Sequence, residues 1–425
     1  MTNQKNSYAV PMIIIGSLFF IFGFVTWLNG PLITFVKLAF NLQTDGEAFW
    51  VTTAFYMSYF VLALPSSWIL EKTGMKKGMA LGLLVMAIGT FLFGHFATAR
   101  NYHMSLFGLF VIGSGLTFLQ AASNPYISII GPIESAAQRI SIMGICNKIA
   151  GILSPIIIGA FVLTGVDEFE KNVKAATDEA TREALLNEFA AKIYTPYMIM
   201  AGVLVLLAFW ILKSGLPEIK ASEVNQEPVG TSEKGKTSLF QFPHVLLGAL
   251  CLFLYVGVEV IAGDAIGTYG KGFNIPSDET KYFTSYTLGA MLVGYLIGLF
   301  TIPKYLSQAN ALKFSAISGV IFTIAAVFTQ GYTSVIFVAL LGLSNALMWP
   351  AIWPLAISGL GKFTEKGSAL LIMGIAGGAV IPKIFAEIKT DTNFQMVFLA
   401  LMLPCYLFIL YYGSKGYLVG KTSKA

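Results

Sequence analysis

Residues 140–164 read ISIMGICNKIAGILSPIIIGAFVLT, an apolar run whose only charge, Lys148, stands near its middle. A helix needs about 20 residues to cross the hydrocarbon core of a bilayer. A lysine at that depth is expensive unless it faces water or a carboxylate. The run sets the fold because eleven windows of the same kind accompany it. In the first half they lie at roughly 9–29, 48–70, 79–97, 104–130 and 194–213; in the second, at 244–270, 282–302, 310–330, 333–360, 368–388 and 393–413. Over the 425 residues, 56% are hydrophobic, 12% are charged and mean hydropathy is +0.73. A soluble domain carries roughly 25% charged residues. Soluble enzymes, nucleic-acid binders and secreted disulfide scaffolds are therefore excluded.

Working outward, the spacing predicts an all-α membrane protein of twelve transmembrane helices in two six-helix bundles, residues 1–215 and 244–425. The polar stretch 216–243, rich in Pro, Ser, Gly, Lys and Glu, is expected to be a solvated linker. Basic residues cluster at Lys5, in the 71–77 turn, at Arg139, in the linker, at Lys304, Lys313, Lys362 and Lys366, and in the tail. By the positive-inside bias both termini are cytoplasmic, in a cell-membrane protein. The net charge of +5 then reports topology rather than an anionic partner. The start of the chain lacks a small-residue cleavage signal, so the first span is expected to be retained. The outer segment 166–192 is expected to form a helical cap with Phe169, Val173, Leu185 and Phe189 on one face, a solvated loop being the alternative. Cys146, Cys251 and Cys405 lie in apolar runs and act as small hydrophobes. His95, His103 and His244 are too scattered for a metal site.

An internal repeat supports two halves. Asn124-Pro125-Tyr126 leads through Gly131 to Ile142-Met143-Gly144-Ile145, and Trp353-Pro354-Leu355 leads through Gly361 to Ile372-Met373-Gly374-Ile375, at offsets of 229 and 230. This register pairs the fourth span with the tenth and the fifth with the eleventh. Pro125, Pro350 and Pro354 are expected to interrupt the fourth and tenth helices.

Between the second and third spans stands Ser67-Trp68-Ile69-Leu70-Glu71-Lys72-Thr73-Gly74-Met75-Lys76-Lys77. It resembles the loop signature of the major facilitator superfamily, with Ser67 and Glu71 where Gly and Asp are commoner. Gly74 permits a tight turn. Glu71, Lys72, Lys76 and Lys77 are expected to make gating contacts present in one conformational state and absent in the other; an ordinary basic loop is the simpler alternative.

Ionisable groups at bilayer depth default to functional hypotheses. Besides Lys148 these are Glu259, Asp264 and Lys383, and Lys383 can neutralise itself against Glu387 at i,i+4. Lys148 needs Asp264 or Glu259 as partner, and such a pair would cross between the halves. Asp264 and Glu259 are the candidate cation-coupling groups, set about 140° apart around their helix. Amides at Asn29, Gln120, Asn124, Asn147 and Asn345 suit sugar hydroxyls, and Trp349 and Trp353, on one face at i,i+4, suit the C–H face of a sugar ring. Each could instead be a helix-packing contact or an interface anchor.

The segments Leu28-Asn29-Gly30, QAASNPYISIIGPIESAAQRISIMGICNK (120–148) and MWPAIWPLAISGLGKF (348–363) resemble the fucose–galactose–glucose:cation symporter family of the major facilitator superfamily, nearer its glucose/galactose branch. The likeness spans nearly the whole chain. It implies alternating access and cation-coupled uptake of a monosaccharide, of glucose/galactose hexose type, with H⁺ or Na⁺ as the co-transported ion and no other cofactor. The lipid bilayer and a small-molecule sugar are the implied partners, nucleic acid is not, and the expected working unit is a monomer. In the family's fucose/proton branch acids follow the Leu-Asn of the first span and precede the Ala-Ala-Asn-Pro of the fourth. Here Gly30 and Gln120 stand there, while Asn147 matches the family's amide in the fifth span and Lys148 departs from it. Alternatives of the same fold are an uncoupled sugar facilitator and an efflux antiporter. A membrane-embedded enzyme would need a clustered nucleophile or metal set, which the sequence lacks.

Overall fold

The computed structural model describes residues 9–129, 136–217, 237–302, 304–360 and 363–421. Among them, twelve helices are long and apolar enough to cross a membrane. Most of the predicted linker (218–236), Lys5, Gly131, Gly361 and Lys362 lie outside the described residues. We call the side on which the chain starts and ends the terminal face, and the opposite side the far face.

Span 1 is two helices, Ala9–Thr26 and Asn29–Ala39. Spans 2 to 6 are Trp50–Thr73, Met75–Thr98, Tyr102–Ile129, Ala136–Phe161 and Tyr194–Lys213. Span 7 is Pro243–Gly263 continued by Ile266–Lys271, and spans 8 and 9 are Phe283–Thr301 and Gln308–Phe328. Span 10 is split into Gly331–Asn345 and Met348–Ile357. Span 11 runs Thr364–Met373, a 3-10 turn Gly374–Ala376, then Gly377–Ile388; span 12 is Phe394–Ser414. The far-face segment folds as two helices, Val166–Ala175 and Glu179–Ala191.

In lipid, helices associate through close packing rather than water exclusion, so small residues mark the seams. Spans 3 and 4 pack along their length in this way. A Cβ built on Gly82 would lie 2.7 Å from the Gly115 carbonyl oxygen, and one on Gly115 would lie 2.5 Å from that of Gly82. Between halves, span 5 packs on span 8 and span 2 on span 11.

The prolines act unequally. Span 4 runs unbroken through position 125, correcting the expectation of an interruption there. A proline removes one N–H, which a helix enclosed by neighbours tolerates. Span 10 does break, at Ala346-Leu347, one turn ahead of Pro350, where the proline ring would collide with the carbonyl of residue 346.

The cap is rooted in the first half. Phe189 is buried, stacked 4.2 Å from Phe169 and 5.5 Å from Phe35. Leu186 rather than Leu185 fills the buried position. Arg100 pairs with Glu183. The Thr181 backbone N–H donates to Asp178 at 2.7 Å, and hydrogen bonds from Thr181 hold that carboxylate below its ordinary range.

Candidate functional site

Two helix breaks meet inside the protein. Span 1 opens at Trp27-Leu28 and span 7 at Asp264-Ala265. A helix end leaves carbonyls without partners; at the second break the hydroxyls of Thr284 and Thr287 donate to Gly263 O and Ala262 O at 2.8 and 2.7 Å. Span 8 thus holds the end of span 7 in place. The breaks fit together through missing side chains. A Cβ on Gly263 would lie 2.4 Å from Trp27 Cζ3, and one on Gly30 would lie 2.4 Å from Thr284 Oγ1 and 3.5 Å from Asp264 Cα.

Asp264 sits in this junction, 2% exposed, and neither carboxylate oxygen has a hydrogen-bond partner within 3.5 Å among the described residues. Gly30, Tyr56, Lys148 and Glu259 stand within its electrostatic reach. Asn29, also buried, has an unpartnered Nδ2 and lies beside the Tyr56 hydroxyl. A buried polar group with no partner is unusual and points to a ligand, a proton or a change of state.

Lys148 finds Glu259, not Asp264. Its Nζ lies 3.3 Å from Glu259 Oε1, with side chains 7% and 12% exposed, and 4.5 Å from the centroid of the Trp27 ring. The pair joins span 5 to span 7 and so crosses between the halves. Tyr255, Tyr295 and Tyr406 surround Glu259 within electrostatic reach.

The amides divide. Gln120 Nε2 donates to the Tyr59 hydroxyl at 2.8 Å, and the Tyr59 ring stacks 6.4 Å from Tyr56, which leads to Asn29 and Asp264. Asn345 Oδ1 accepts from Tyr406 at 2.9 Å, linking it toward Glu259. Asn147 Nδ2 donates to Phe19 O at 3.5 Å, a contact between spans 5 and 1. Asn124 is half-buried in span 4. Trp349 and Trp353 stack on each other, centroids 5.5 Å apart, half-buried against the core.

The structure therefore gathers Asn29, Gln120, Lys148, Glu259, Asp264 and Asn345 through a ring of aromatics that sequence reasoning passed over: Trp27, Tyr56, Tyr59, Tyr255, Tyr295 and Tyr406. Their signal was available. A tyrosine inside an apolar span needs a partner for its hydroxyl.

The two ends of the inter-bundle seam differ. At the far face Asp45 pairs with Lys37 at 2.5 Å and with Lys389. Lys383 donates to Gly46 O at 2.8 Å and pairs with Glu387. The Ser277 N–H donates to Asp167 at 2.8 Å, the Ser277 hydroxyl to Glu170 at 2.8 Å, and Lys281 to Leu163 O at 2.9 Å. At the terminal face Gly74 turns with φ +79°, as the motif requires. Glu71 is exposed and forms no ion pair among the described residues. Lys72 lies over Trp68 at 3.6 Å, Lys76 donates to Ser214 O at 2.7 Å, and Lys77 is exposed. The expected pairing of Glu71 with these lysines is thus unmade in this state.

Residues 15–382 match the Major Facilitator Superfamily. The chain is 31% identical to the glucose/galactose transporter of Brucella abortus, over 98% of this chain and 96% of that one. It is 26% identical to the L-fucose-proton symporter of Escherichia coli, over 91% and 88%. The crystal structure of the Escherichia coli fucose:proton symporter superposes with a TM-score of 0.74 at 23% identity, covering 96% of this chain and 98% of that one. This chain belongs to the Major Facilitator Superfamily, as a multi-pass membrane protein of twelve helices.

Proposed function

We propose that this member of the Major Facilitator Superfamily takes up a monosaccharide of the glucose/galactose type by alternating access, with the cytoplasm on the terminal face and the monomer as working unit. Both relatives named above carry sugars by name, and the hydroxyl-rich ring around Gln120, Tyr59, Asn29 and Asn345 offers the partners a polyol needs. Uptake is driven by a cation at Asp264. The observation that carries this reading is a buried carboxylate with no hydrogen-bond partner among the described residues. Burying an unpaired charge is costly, so the group is suited to exchanging its charge for a bound ion as the transporter cycles. The donors set toward it, the Gly30 N–H and the Tyr56 hydroxyl, suit a carboxylate that gives up and regains a proton better than a shell of oxygens around Na⁺. Lys148 and Glu259 neutralise each other beside it, leaving Asp264 as the group free to load.

Counterflow of labelled glucose or galactose in proteoliposomes, with and without imposed pH and Na⁺ gradients, tests the reading. Counterflow plus accumulation driven by a pH gradient is expected. Counterflow with no accumulation under either gradient would instead establish the uncoupled facilitator, and outward drug movement against a proton gradient the antiporter.

A further inference from the structure

One side chain touches both ionisable sites, and neither composition nor motif singled it out. Trp27 leaves span 1 at its break and is 3% exposed. Its six-membered ring fills the notch left by Gly263, one residue before Asp264, with Cζ3 2.4 Å from where a Cβ would stand. Its Cδ1 does the same at Gly151 of span 5, 2.5 Å from the corresponding position. Over its face lies the Lys148 ammonium at 4.5 Å, the group that bonds Glu259. Although it belongs to the first half, it packs in one small cluster with Leu288, Met291, Tyr295 and Ala346 of the second.

This geometry has a mechanical content. The notch at Gly263 forms part of the backbone that ends span 7 and carries Asp264. If the break shifts when Asp264 changes charge, the indole in the notch must shift with it. A cation over an aromatic face is held by the ring's quadrupole, so the indole also sets where the Lys148 ammonium rests relative to Glu259. We infer that Trp27 is a positioning residue that transmits the state of Asp264 to the Lys148–Glu259 pair, and thereby links ion loading to the movement of one bundle on the other. The inference rests on the coupled-transport reading given above.

Gly263→Ala tests it, because the added methyl must displace the indole. The companion change Trp27→Phe removes the outer ring atoms that would collide. In proteoliposomes, Gly263→Ala is expected to keep sugar counterflow within about twofold while gradient-driven accumulation falls about tenfold or more. The Gly263→Ala/Trp27→Phe double variant should recover at least half of that accumulation. A residue that merely filled space would lose counterflow and accumulation together, and would show no such rescue. Full accumulation by Gly263→Ala, or by a folded Trp27→Ala, overturns the inference while leaving sugar transport intact. So does a double variant no better than Gly263→Ala alone. Absence of counterflow, or of gradient-driven accumulation, in the unaltered protein would overturn the coupled-transport reading itself, and this inference with it.

Discussion

The far end of the seam between the bundles and its centre are held by different physics. At the far end the links are numerous and overlapping: Asp45 serves Lys37 and Lys389, while Asp167 and Glu170 both serve Ser277. The closure is shared among several ion pairs and hydrogen bonds, so it gives way one link at a time. At the centre a single pair, Lys148–Glu259, sits beside an isolated carboxylate. Removing one member of a buried pair costs about 3–5 kcal/mol. An opening gate is served by many weak contacts, whereas a site that must sense one ion is served by a few that cannot be satisfied elsewhere.

The contrast can be broken most directly at Glu259. Glu259→Ala leaves Lys148 charged, buried and unpaired, and should destabilise the protein by about 3–5 kcal/mol, read as a lowered thermal midpoint in detergent. Lys148→Met/Glu259→Leu should restore most of that loss, since apolar replacement of a buried pair is often neutral or better. A midpoint unmoved in Glu259→Ala would place the pair with the dispensable far-face links.

A sharper cut uses Asp45→Asn, which weakens two far-face ion pairs at once. The expected result is a population shift toward the state open at that face, with a smaller loss of stability than in Glu259→Ala. Accessibility of a cysteine introduced at Ser277 should rise, and raised salt should have the same effect on the unaltered protein. No change in labelling would mean that the links do not govern closure.

Asp264→Asn separates stability from function. Because the carboxylate has no hydrogen-bond partner to lose among the described residues and a buried charge is removed, the variant should be no less stable than the unaltered protein. Accumulation against a gradient should nevertheless vanish while counterflow persists. If accumulation survives both in this variant and in a folded Glu259→Gln, the ion is loaded elsewhere.

The smallest effect on stability belongs to Glu71→Ala, near zero because that side chain is exposed and forms no ion pair among the described residues. Its expected consequence is kinetic, a slower exchange at unchanged sugar affinity. A pure affinity defect would argue against a gating role.

Twelve spans were legible because membrane length and apolarity are local properties of the chain. The cross-bundle character of the Lys148 pair was legible too, since few carboxylates lay at depth. Which carboxylate it takes was not. That choice depends on the break at Asp264, which turns the end of span 7 and leaves Glu259 as the closer partner. The break in turn depends on Thr284 and Thr287, far along the chain. The same limit applies to Asn147. Its amide looks like a sugar ligand in sequence, yet here it binds the Phe19 carbonyl. Pro350 marked the tenth helix correctly because its clash is local, whereas Pro125 misled because neighbouring helices decide whether a missing N–H matters.

The cap has a practical consequence. Its helices are anchored to one bundle by the stacked rings of Phe35, Phe189 and Phe169, and reach the other through polar bonds such as those of Asp167 and Glu170. The cap helices and the segment that carries Ser277 present one contiguous surface while these bonds hold. A nanobody raised against that composite patch would report conformation directly, its on-rate measuring how often the transporter closes.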